Sequence, residues 1–367
     1  MSKKKNSTTT MRVVCAIAFL LFTFFYLYDY QADLLTMAQH VLSGGKTVYD
    51  RNLGAILITI VLSLVSFGVY VFTGLTRRNH ALIYFPALLL LTILTDVDEH
   101  LDEGFTFGVW LFLFPLLLIL YRGLIWMIMK YKPYESDVND KGFFSRVMWE
   151  NIMLMFIMFV GVILTCNHND VFHYRMKMEV LMNEGKYKEA TLVGKKAAVT
   201  DSSLTFLRIK ALDLSNGLGE HLFEYPLMGG SKATRENGRG VKAMLWKDPK
   251  YHWHRIHYVK GRPDSKQLIL CRYLLDKNLD GFVENIGKYY KIDSTNVPKH
   301  FREALTLYTH LRSNPKIIYH SSVMDTDFQD YQVMEHKYSK KTERQDALYE
   351  TYGNTYWYYY QYNNSKK

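Results

Sequence analysis

Apolar residues are unevenly spread along this chain. They gather into five long runs in residues 1–166 and then thin to a periodic pattern. The runs cover 13–28, 53–75, 81–97, 107–129 and 147–165. An α-helix rising about 1.5 Å per residue needs ~20 apolar residues to cross a hydrocarbon core about 30 Å thick. The pattern therefore predicts about five transmembrane helices. The third run is the shortest, and Pro86 within it predicts a kink. The first run ends in the aromatics FFYLYDY and not in a small-residue cleavage site. It reads as an uncleaved helix with Tyr26, Tyr28 and Tyr30 at the interface.

From Asp170 the period becomes that of a water-soluble helical domain, 167–367. Residues 171–182 and 187–199 read as two helices broken at Asn183-Glu184-Gly185, and the short connection favours an antiparallel pair. Residues 203–215, 265–276 and 298–311 read as further helices. Between them, 220–225 starts a partner helix that Pro226 stops. The fold class expected is all-α.

The run GKYKEATLVGKKAAVTD carries a resemblance. Gly185 stands at a turn, Tyr187 follows two later, and Ala190 and Ala197 are small residues seven apart. Tyr174 and Met178 lie on the preceding helix. Leu279, Phe282, Ile286, Tyr289 and Asp293 repeat the spacing of Tyr187, Ala190, Gly194, Ala197 and Asp201. This pattern is similar to a degenerate tetratricopeptide repeat, with Gly194 where a bulky residue is usual and Ser202 in place of the closing proline. The resemblance implies stacked helix pairs forming a concave surface for a peptide or partner subunit.

Charge refines this division. Mean hydropathy is −0.12, a value that averages two unlike halves. The net charge is +10, and residues 1–165 carry 13 Lys and Arg against 12 Asp and Glu, so the excess lies in the second half. Basic residues of the short loops fall on one side: Lys3, Lys4, Lys5 and Arg12; Arg77 and Arg78; Lys130, Lys132, Lys141 and Arg146. The positive-inside rule then places the N-terminus in the cytoplasm of a multi-pass inner-membrane protein, and five crossings place the soluble domain outside it. Cys15, Cys166 and Cys271 form no disulfide framework, although a Cys166–Cys271 bond is open outside the cytoplasm.

Several stretches carry candidate chemistry. The third loop holds Asp96, Asp98, Glu99 and His100, followed by Asp102 and Glu103. It reads as a solvated acidic loop or as oxygen and imidazole ligands for a divalent cation. It is also similar to the acidic loop pairs of membrane glycosyltransferases that use lipid-linked sugars. The insertion at 228–266 has ten Lys or Arg against three acids, with Arg239, Lys242, His252, Trp253 and His254 as candidates. Its readings are a solvated surface insertion, an anionic lipid or glycan contact, and a metal site. Tyr356 and Trp357 in the aromatic tail are candidates for ligand stacking, against a packing role. Arg122 and Glu150 interrupt apolar runs. Arg122 reads as an interface anchor and Glu150 as a one-turn partner of Arg146.

No nucleic-acid reader motif occurs and no cofactor is implied. The expected partners are the bilayer and a protein on the extracytoplasmic side. The function expected is a membrane-anchored scaffold in envelope assembly, transport or surface-polymer handling. The alternative is an enzyme acting on a lipid-linked substrate at the outer membrane face.

Overall fold

The computed structural model describes residues 2–44, 46–75, 78–97, 108–131, 145–197, 199–235, 264–292 and 296–363, with side chains from residue 9. Asp98, Glu99, His100, Arg239, Lys242, His252, Trp253 and His254 lie outside the described residues. The protein is all-helical, with no strand among the described residues. It divides into two compact units, Met1–Asn169 and Asp170–Lys367.

The first unit opens with α1 (Ser2–Phe25), which runs on through a π turn at Tyr26–Tyr30 into α2 (Ala32–Leu42). Then come α3 (Arg51–Thr73), a 3₁₀ turn at His80–Tyr84 leading into α4 (Phe85–Thr95), α5 (Trp110–Tyr131) and α6 (Arg146–Thr165). Asp50 and Ser145 cap α3 and α6 by accepting the Leu53 and Met148 backbone N–H groups. Pro86 sits in the first turn of α4, where its missing N–H has no partner to lose, so it starts that helix without kinking it.

Four segments are long and apolar enough to cross a membrane: Thr9–Tyr30, Arg51–Thr73, Trp110–Tyr131 and Arg146–Thr165. The third predicted span is a shorter apolar helix, His80–Thr95. Polar bonds at both of its ends show how far it reaches. At one end the buried Asn151 of α6 accepts the Ala81 N–H at 2.8 Å and donates to Met11 Sδ of α1 at 3.2 Å. At the other end the Tyr26 hydroxyl pairs with Thr95 Oγ1 at 3.2 Å, and Asn167 donates to the Val97 carbonyl at 2.9 Å. The short segment thus runs alongside the chain from Met11 to Tyr26 and from Asn151 to Asn167. Glu150 takes a bond from Arg146 Nε at 2.8 Å, the expected one-turn pair, and also meets Arg78 at 3.3 Å. All three cysteines are free and buried.

The second unit contains α7 (Asp170–Asn183), α8 (Tyr187–Leu192), α9 (Ser202–Leu214), α10 (Leu218–His221), α11 (Lys266–Leu275) and α12 (Leu279–Ile286). It ends with α13 (Lys299–Leu311), α14 (Ser322–Lys337), α15 (Lys341–Tyr352) and α16 (Tyr356–Tyr362). Helix α9 is buried on nearly every side. Leu204, Leu207 and Ala211 serve one core, with Met178, Met182 and Ala190. Ile209 and Leu212 serve another, with Leu222, Leu270, Leu274 and Phe301.

Helices α7, α9 and α11 end alike. Each is followed by one residue with left-handed backbone: Gly185 (φ 76°), Asn216 (φ 56°) and Lys277 (φ 57°). The next residue's N–H reaches back to a carbonyl: Lys186 to Leu181 (2.9 Å), Gly217 to Leu212 (2.9 Å) and Asn278 to Tyr273 (2.8 Å). The left-handed residues themselves donate to Met182, Asp213 and Leu274. This is the Schellman motif, used three times. Seven residues before each left-handed position stands a buried apolar side chain, Met178, Ile209 or Leu270. The longer interval between the last two turns contains the basic insertion.

The helix predicted for 187–199 is shorter. Helix α8 stops at Leu192, because Gly194 turns left-handed (φ 59°) where a Cβ would meet the Tyr174 ring at 3.0 Å. The buried Arg208 guanidinium holds that turn, donating to the Val193 carbonyl at 3.0 Å and the Gly194 carbonyl at 3.4 Å. Ala190 is fully buried, whereas Ala197 lies outside any helix and loses the packing role assigned to it.

Candidate functional site

Helix ends and turns of the second unit converge on an open cleft of about 490 Å³. Its lining comes from five places in the chain. Asn216 is the left-handed turn residue after α9, and Glu220 follows on α10. Lys266 and Gln267 open α11, where Ser265 accepts the Leu268 N–H and fixes the entry of the chain. Tyr289, Tyr290 and Lys291 follow the end of α12, and Asn296 and Pro298 precede α13. The volume lies within the ~300–1,000 Å³ of small-ligand sites.

The base of the cleft is held by specific bonds. Gly219 packs so close to Pro298 that a Cβ there would meet the proline Cβ at 2.7 Å. The Gly219 N–H donates to Gln267 Oε1 at 3.1 Å, which turns the Gln267 amide so that its NH₂ remains a donor. Glu220 Oε2 accepts the Lys299 N–H at 3.1 Å and so caps α13. Tyr290 rests edge-to-face on Phe301, with centroids 5.7 Å apart, and the Lys266 ammonium lies 4.8 Å from the Tyr290 centroid. Burial pushes the Tyr290 hydroxyl up from its ordinary value, and the neighbouring Gln267 side chain works against that rise. Tyr289 and Lys291 are exposed. The walls thus combine two ammonium groups, amide donors and acceptors, one carboxylate and an exposed aromatic ring.

The structure places the sequence candidates elsewhere. Asp96 accepts the Trp110 indole N–H at 2.7 Å at the start of α5. Tyr356 and Trp357, candidates for ligand stacking, are core residues at 0% and 3% exposure, which corrects that assignment. Glu303 anchors both, through Oε2 to the Tyr356 N–H (2.7 Å) and through its carbonyl to the Trp357 indole N–H (2.8 Å). Glu303 Oε2 also meets His300 Nδ1 at 2.8 Å, while His300 Nε2 faces the Phe223 N–H at 3.3 Å. Nε2 is therefore the acceptor and Nδ1 carries the proton. Among the described residues no three His, Cys, Asp or Glu side chains stand together as a metal set.

Sequence reasoning named none of the cleft residues, Lys266, Tyr289 and Lys291 included, as site residues. The signal available was the Tyr-Tyr-Lys run at 289–291, in which neighbouring tyrosines cannot share one helix face.

The model of a family of unknown function (DUF6057) matches residues 265–363. That segment supplies Lys266, Gln267, Tyr289, Tyr290, Lys291, Asn296 and Pro298 of the cleft, and Asn216 and Glu220 come from upstream of it. Comparison with curated proteins and with solved structures finds no match.

Proposed function

We propose that this protein is a membrane-anchored binding scaffold whose helical second unit holds a partner outside the cytoplasm, in envelope assembly or surface-polymer handling. The observation that carries this reading is the open, polar, tyrosine- and lysine-lined cleft at the turns of the helix pairs. The repeated Schellman turns support the repeat character on which the tetratricopeptide resemblance rests. The basic loop residues support the orientation.

Photocrosslinking tests the binding role directly. With p-benzoylphenylalanine in place of Tyr289, irradiation of native membranes is expected to give a discrete adduct. Benzophenone inserts into C–H bonds, so a protein or a glycan occupant is trapped alike. The same substitution at Glu350, exposed on α15 and outside the cleft lining, is expected to give none. Equal labelling at both positions, or none at Tyr289, would count against a specific occupant.

A further inference from the structure

We infer that the cleft binds a carboxylate-bearing sugar unit of an acidic glycan. This rests on the binding role proposed above and names the chemistry of its ligand.

The chemistry of the walls selects the ligand class. Lys266 and Lys291 put two exposed ammonium groups on one lining, and Lys291 has no ion-pair partner among the described residues. They call for an anion. The Gln267 NH₂, together with Asn216 and Asn296, adds amide groups suited to hydroxyls. Tyr289 offers an exposed ring against which the C–H face of a pyranose can stack. Aromatic, amide and carboxylate groups in one open cleft match a polyhydroxylated ring better than a bare ion or an apolar molecule.

Glu220 favours a uronate over a phosphorylated sugar. It lines the cleft, and its Oε2 accepts the Lys299 N–H, which leaves Oε1 with acceptor capacity. A carboxylate in the wall repels a phosphate carrying up to two negative charges more strongly than a uronate carrying one. The same oxygen can accept a bond from a sugar hydroxyl. A uronic acid with its carboxylate toward the lysines and its hydroxyls toward Glu220 and the amides satisfies every wall. The cleft volume of about 490 Å³ leaves room for one or two pyranose rings.

The test uses the full-length chain in phosphatidylcholine nanodiscs, titrated by calorimetry with digalacturonate, with cellobiose as the neutral disaccharide, and with inorganic phosphate. Saturable digalacturonate binding is expected, at least ten-fold tighter than cellobiose or phosphate. Lys266→Ala and Lys291→Ala should each weaken it about five-fold, the equivalent of roughly 1 kcal/mol. Tyr289→Ala should weaken it by a similar factor. Lys288→Ala, exposed and outside the lining, should leave it unchanged. Phosphate binding as tight as digalacturonate would overturn the uronate assignment. Absence of saturable binding, or indifference to both lysine substitutions, would overturn the site. Photocrosslinking at Tyr289 is read separately, so failure of the titration removes this ligand and leaves a binding role for another occupant standing.

Discussion

Arg208 shows how one side chain can hold a turn that its own sequence would not keep. Its side chain is fully buried, yet no carboxylate pairs with it among the described residues. Its acceptors are the carbonyls of Val193, Gly194 and Pro226, and its guanidinium lies 4.5 Å from the Tyr225 centroid. Burial pulls its titration down to about 10, which still leaves it charged at neutral pH. The planar fork reaches carbonyls of two separate segments from two nitrogens in fixed geometry, whereas an ammonium offers one nitrogen on a shorter reach. Arg208→Met should therefore leave those carbonyls without a charged donor and cost about 2–4 kcal/mol. Arg208→Lys should recover little of that loss. Urea-dependent pulse proteolysis of the full chain in micelles, following cleavage of the second unit, measures both. Stability within about 0.5 kcal/mol of the parent for Arg208→Met would show that the clasp is dispensable.

At the scale of elements, what the sequence reveals depends on how many residues share the task. The membrane helices were legible because spanning lipid demands ~20 apolar residues, leaving a signal no single residue can hide. The Arg146–Glu150 pair was legible because helical spacing alone brings its members together. The turn at Gly185 was legible because glycine favours φ > 0, whereas Lys277 adopts the same conformation with no such mark. The end of α8 was hidden, since the residue that fixes it, Arg208, comes 16 residues after Leu192. The cleft was hidden for the same reason, its walls coming from five separated places. The α16 run YWYYYQY has no polar face to show which side is buried.

Two glycines isolate the conformational part of the turn argument. A Cβ added at Gly185 or at Gly287 would meet nothing within 4 Å. Gly185 is left-handed at φ 76°, whereas Gly287 is right-handed at φ −62°. Gly185→Ala should then cost about 1–2 kcal/mol from backbone strain alone. Gly287→Ala should be neutral or stabilising by up to about 1 kcal/mol, because it restricts the unfolded chain. The same proteolysis assay reads the difference. Equal effects at the two sites would remove backbone conformation as the reason for the Gly185 turn.

For the whole molecule, the arrangement of the first unit makes orientation a sharp question. Met11, Ala81 and Asn151 meet at one end, and Arg78 and Arg146 converge on Glu150 beside them in sequence. The other end joins Tyr26 to Thr95 and Val97 to Asn167. Four segments are long and apolar enough to cross, and counting His80 to Thr95 as a fifth predicts that the N-terminus and the second unit lie on opposite sides. Arg12 and Arg78 stand at the first end, and the positive-inside rule predicts that this end faces the cytoplasm. Ser339 is exposed between α14 and α15, and the native cysteines are all buried, so background labelling should be low. Ser339→Cys is expected to react with an impermeant maleimide added to intact spheroplasts, as completely as after lysis. Lys141→Cys, four residues before Ser145 in the sequence, is expected to react only after lysis. The reverse pattern would put the second unit in the cytoplasm and withdraw an extracytoplasmic partner. Labelling of both positions in intact spheroplasts would instead mean that α6, the one span that separates them in the chain, does not cross.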